Sequence, residues 1–146
     1  MAQGDITVFN TAKEWLMDGT FDLDGDTVKM AICDNTTTPT ATTATPALGD
    51  FTQVDAVGDY SSGGSTLTCT WVESGGTVTF ATSTTVSVSS NASHTKDAFW
   101  GIIYADNVAS PVADAAIAFV QLSTGSGVDL ATTDLTVNSG TIFTLA

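Results

Sequence analysis

The sequence predicts a mainly β protein: an antiparallel two-sheet β-sandwich, jelly-roll-like, with one short N-terminal helix. Three observations carry this. Two apolar runs within Ala98–Leu122 place Phe99, Trp100, Ile102, Ile103 and Tyr104, then Ile117, Ala118, Phe119, Val120 and Leu122, on both faces of their strands, as central strands require. Short β-favouring segments recur between turn signals, giving eight or nine strands along the chain. Only one stretch has the apolar spacing of a helix.

The elements follow in order. Ile6, Thr7, Val8 and Phe9 make an alternating apolar stub, so residues 1–9 read as an N-terminal arm and 10–146 as a single sandwich domain. Asn10 offers a helix cap, and TAKEWLMDG puts Ala12, Trp15 and Leu16 on one face with Gly19 at the stop. Trp15 is expected to plug one end of the core. A turn at Asp24–Asp26 leads into a strand over Thr27–Cys33. The Thr/Ala/Pro-rich stretch Asn35–Gly49 has no periodic apolar face and reads as a long surface loop.

Phe51–Val57 reads as a weak edge strand, Ser65–Glu73, Thr77–Ala81 and Val86–Ser89 as further strands, and Ser90–Asp97 as a polar loop. The two central runs form a buried hairpin across Ala105–Asp114, where Asp106, Asn107, Ser110 and Pro111 supply turn chemistry. Asn138–Gly140 is expected to close a last hairpin between Asp134–Val137 and Thr141–Leu145.

Charge narrows the function classes. Lys13, Lys29 and Lys96 stand against sixteen acidic residues, for a net charge of −13. A surface so poor in cations cannot neutralise phosphates, so nucleic acid and anionic membrane are not expected partners. MAQGDITVF has neither the basic start nor the apolar core of a secretory leader, which implies synthesis in a cytoplasm. With Lys29 facing water, Cys33 shares its face while Val28, Met30 and Ile32 point inward. Leu67 and Trp71 carry Cys69 inward, so two free thiols are expected.

No chemistry emerges from the candidate reactive groups. Asp22, Asp24 and Asp26 alternate as calcium ligands would, but Thr27 and Cys33 stand where an EF-hand loop needs its glycine and its bidentate glutamate; the cluster reads as a solvated turn. Asp18, Asp50, Asp55 and Asp59 could join it only through the fold. His94, the single histidine, has no nucleophile elbow to serve and reads as a surface residue. One His and two divergent thiols make no zinc shell.

Glu14 and Glu73 are the only glutamates, and the aspartates sit mostly in turns, where their own backbone explains them. Trp71, Trp100 and Tyr104 could stack on sugars, yet each lies among apolar strand residues and reads as core. Gly63 and Gly64 form a turn without the lysine or helix of a phosphate loop. Asn35 and Asn91 match a glycosylation pattern that means little without a secretory signal. No catalytic, metal or cofactor site is assigned.

Several blocks together are similar to a family of small structural proteins of tailed-bacteriophage virions, commonly head decoration or cement proteins. They are DGTFDLDGDTVKMAICDN (Asp18–Asn35), GDYSSGGSTL (Gly58–Leu67), WGIIYAD (Trp100–Asp106), SPVADAAIAFVQL (Ser110–Leu122) and the ending GTIFTLA. The chain departs from that pattern in its Thr/Ala/Pro loop at Asn35–Gly49 and at Gln121, where an acidic residue is common. The resemblance implies a non-catalytic virion protein on the outer capsid surface, with the major capsid protein as partner and a homotrimer as its form. Ile6, Thr7, Val8 and Phe9 are the expected shell contact, by adding a strand to a neighbour's edge; the alternative is that they are simply the first strand of the sandwich. The competing expectation is a tail or fibre component that binds host-surface glycans.

Overall fold

The computed structural model describes residues 1–146. Its elements are β1 (Ile6–Val8), α1 (Asn10–Met17), β2 (Val28–Cys33), β3 (Ser65–Thr66), β4 (Cys69–Ser74), β5 (Thr77–Thr82), β6 (Val86–Val88), β7 (Trp100–Ala105), β8 (Ala115–Gln121), β9 (Leu135–Val137) and β10 (Gly140–Leu145). They form a five-stranded sheet in the order β1-β8-β7-β2-β3, a three-stranded sheet β10-β5-β4 and a two-stranded ribbon β6-β9, antiparallel throughout. The architecture is the expected mainly β, sandwich-like one with a single helix.

The central hairpin forms as its residues dictate. β7 and β8 pair with Ile102 opposite Phe119 and Ile103 opposite Ala118, and every residue of the two strands except Gln121 is buried. One face, with Met30, Ile103 and Val120, looks toward β9 and β10. The other is covered by Phe9 and Phe51: the Phe9 ring lies 4.9 Å from Phe119 and 6.2 Å from Phe51. Covering both faces explains the near-continuous apolar runs.

That second cover corrects the expectation for β2. Lys29 and Cys33 do share a face, but it is not a wet one. Lys29 reaches Asp106 at 2.9 Å from its rim, while Cys33 is buried. Both cysteines are free.

Helix α1 lies where the spacing predicts, with Ala12 and Trp15 buried and Gly19 in the left-handed region just beyond its end. The cap differs: Phe9 holds the N-cap position and Asn10 is already helical, its side chain accepting from Lys13 Nζ at 3.1 Å. Trp15 packs edge-on against Phe21.

Four expectations are revised. Residues 1–9 are not a free arm but follow the alternative expectation of a first strand, because Ile6–Val8 pair with β8 and Phe9 is fully buried. Phe51–Val57 runs antiparallel beside the end of β2 only over Thr52–Val54, through an Asp34 N–H to Thr52 O bond, a bridge from Gln53 to Cys33 and a Val54 N–H to Ile32 O bond, and forms no longer strand. Ser65–Glu73 splits: β3 stays on β2, then the chain leaves through Leu67 and Thr68 to start β4 in the other sheet. Asn138–Gly140 closes no hairpin, since β9 pairs with β6 and β10 with β5, so the turn carries the chain between sheets.

The motif GDYSSGGSTL is a packing device. The Tyr60 hydroxyl accepts from Ile32 N–H at 3.0 Å and lies 3.2 Å from Ile32 O, while Gly63 O accepts the Tyr104 hydroxyl at 2.7 Å. Gly64, at φ +71°, lies so close to β2 that a Cβ there would overlap the Met30 carbonyl oxygen. Glycine is required at that point.

Candidate interaction surface

The expected contact residues lie at an edge of the five-stranded sheet. Ile6, Thr7 and Val8 are half-buried and Phe9 is core, so the first three can meet a partner and the fourth cannot without unfolding. The Phe9 N–H bonds Ile117 O at 3.1 Å. Since the hydrogen-bonding direction alternates along an antiparallel strand, Thr7 also addresses β8, and Ile6 and Val8 turn their backbone groups to the open side.

Beside that edge runs an apolar groove of about 200 Å³ between β1, α1 and β10, lined by Val8, Leu16, Met17, Phe143 and Leu145 with Lys13 at the rim. Met17 is 86% exposed. A larger cleft of about 480 Å³ opens further along the same seam, floored by Met30, Ile103, Val120 and Ile142 and edged by Gln3 and Asn138. Both lie where the β1 and β10 edges leave the two sheets unjoined.

A second open edge belongs to β4. The β4–β5 hairpin turns at Gly75–Gly76, both at positive φ as a two-residue primed turn requires. It extends past the core, so Trp71 is 42% and Val72 62% exposed. This corrects the reading of Trp71 as core: its ring does sit on the inward face, 5.6 Å from Phe80, but at the outer strand of that face. Trp100 and Tyr104 are buried as expected, with Trp100 Nε1 donating to Asn35 Oδ1 at 3.0 Å.

The acidic turn is self-contained. Asp22 N–H donates to Asp26 Oδ2 at 2.8 Å, and no group of three or more His, Cys, Asp or Glu side chains is placed to hold a metal ion. Asp55 and Asp59, from the segment before β3, and Asp134, from beside β9, reach the loop after β6, accepting from Thr95, Ser89 and Ser90. Hydrogen bonds to the ionised form hold all three carboxyls below their usual range: chiefly the Thr95 and Ser90 amides for Asp55 and Asp134, and the Ser89 hydroxyl for Asp59.

His94 is not the expected surface residue. It is 5% exposed, and neither ring nitrogen has a hydrogen-bond partner in the protein. No local pattern signals this, because the carboxylates that fold its loop inward stand 30 to 40 positions away, as Asp59 and Asp55 do from Ser89 and Thr95. Gly63 and Gly64 serve packing as described, and Asn91 caps its own turn through Ser93 N–H.

No protein-family model, curated protein or solved structure matches this chain.

Proposed function

We propose that this chain is a non-catalytic decoration, or cement, protein that binds the outer surface of a bacteriophage head and reinforces its shell of major capsid protein. The observation that carries the reading is the open edge of β1 beside the apolar groove. A strand of the shell protein adding to Ile6 and Val8 gains main-chain hydrogen bonds, and the groove at Met17 and Leu145 takes one of its apolar side chains. A net charge of −13 suits a position outside the shell, away from packaged DNA, and keeps the free subunit dissolved. Several copies clamped around one symmetric position hold more tightly than one, through effective concentration.

The test is co-sedimentation with heads lacking the protein. Val8→Pro removes an open-side N–H while sparing the bonds to β8, a position where an edge strand tolerates proline. Wild type is expected to bind and the folded variant to lose binding at least about tenfold. Unchanged binding by the variant overturns the contact, and wild type that ignores the heads overturns the function.

One observation favours the tail or fibre reading: the half-exposed Trp71 ring, a surface on which a sugar could stack. Quenching of tryptophan fluorescence by host-surface oligosaccharides, abolished in Trp71→Ala, would select it over the head.

A further inference from the structure

The three-stranded sheet differs electrically from the rest of the chain. Of sixteen acidic residues only Glu73 lies in β4, β5 or β10, and none of the three lysines does. Glu73 itself sits at the tip, where Oε1 accepts from Gly76 N–H at 2.8 Å. Two copies of a chain carrying −13 repel each other wherever carboxylates face carboxylates, and this sheet is where they can approach at least electrostatic cost.

β4 is also the sheet's outer strand and lacks the usual protection. It is six residues long, with no proline, no lysine and no bulge, and it exposes Trp71 and Val72. Ser74 and Thr77 close a two-residue hairpin, so they form a hydrogen-bonded pair and the backbone of Val72 and Thr70 likewise addresses β5. The N–H and C=O groups of Cys69, Trp71 and Glu73 therefore point outward.

We propose that β4 is a self-association edge: it pairs antiparallel with β4 of a second copy, joining two three-stranded sheets into one of six strands about a twofold axis. In the register centred on Trp71, Trp71 lies opposite the second copy's Trp71 and Glu73 opposite its Cys69, so the outward backbone groups meet one another and the glutamates are not opposed. The contact brings the two half-exposed Trp71 rings together on one face of the joined sheet and sets Val72 against the second copy's Thr70 on the other. It is independent of the capsid reading and uses a different edge from β1.

Sedimentation equilibrium of the full chain over a wide concentration range tests it. A reversible dimer of the 14.9 kDa chain is expected, tightening as added salt screens the remaining repulsion. Trp71→Pro, which removes an outward donor, and Val72→Lys, which keeps every backbone donor but places a charge in the contact, are each expected to raise the dimer Kd at least about tenfold. Circular dichroism identifies any variant that has merely unfolded, and the other variant then decides. A monomer at all concentrations, a trimer, or a dimer indifferent to both substitutions overturns the proposal.

Discussion

Asp55 and Thr95 are joined twice through one carboxylate oxygen: the Thr95 amide donates to Asp55 Oδ2 at 2.6 Å and its hydroxyl to the same atom at 2.8 Å. Forty residues separate them, and the pair fixes the end of the loop that carries His94. Asp59 also holds Ser89 twice at the loop's start, its Oδ1 accepting from the Ser89 amide at 3.0 Å and its Oδ2 from the hydroxyl at 2.7 Å.

The loop should therefore be acid-sensitive. The folded pKa of Asp55, Asp59 and Asp134 is depressed, so their stabilisation is complete above the unfolded value of about 3.9 and is lost as pH falls through the lower folded values. In an NMR titration the Ser89, Ser90 and Thr95 amide resonances should move together with midpoints below that of a free aspartate. Midpoints at or above it would show that the carboxylates do not hold the loop.

Tyr60 and Gly64 predict the cost of breaking the loop-to-strand stitch. Tyr60→Phe strands a buried Ile32 N–H and should lose about 1–3 kcal/mol in denaturant unfolding. Gly64→Ala combines a left-handed backbone with overlap against Met30 and should cost at least about 2 kcal/mol. A neutral Gly64→Ala would mean that β2 yields more than its double cover suggests.

The parts of the fold legible in the sequence are those set by local pattern. Ile102, Ile103, Phe119 and Val120 announce a strand pair buried on both faces, and Ala12, Trp15 and Gly19 announce a short helix and its end. Pairing between distant segments left no such trace. Trp71 has the phase of an inward residue and does point inward, but nothing local states that its hairpin outruns the core. Asn138–Gly140 has hairpin chemistry, yet the partners that β9 and β10 find are 47 to 67 positions away, in β6 and β5. Of the expected contact, Ile6 and Val8 lie at an open edge; Phe9 was misread because its aromatic partners, Phe51 and Phe119, are remote.

His94 predicts an unusual substitution series. Replacing it with leucine removes two buried nitrogens that have no protein partner while filling similar volume, so stability should stay within about 1 kcal/mol of wild type or rise. Alanine leaves a cavity and should cost about 2 kcal/mol or more. Thermal unfolding of the pair checks this. A leucine variant as unstable as the alanine one would show that the imidazole makes a polar contact of consequence.

The two thiols should separate cleanly in reactivity. Burial, with Asp34 nearby, pushes the Cys33 thiol up to about 12, and lesser burial raises Cys69 by less. An aromatic disulfide reagent at neutral pH should label Cys69 slowly and leave Cys33 untouched until the protein is unfolded. Labelling of Cys33 in the folded state would reveal an opening beside β7.

The two-sided enclosure of β7 and β8 has a consequence for how the molecule opens. Their amides can meet solvent deuterium only when the whole domain comes apart, so exchange at Ile102, Ile103 and Phe119 measures global stability directly. The free edges at β1 and β4 breathe on their own, and a bound neighbour would slow exchange there while leaving the centre unchanged.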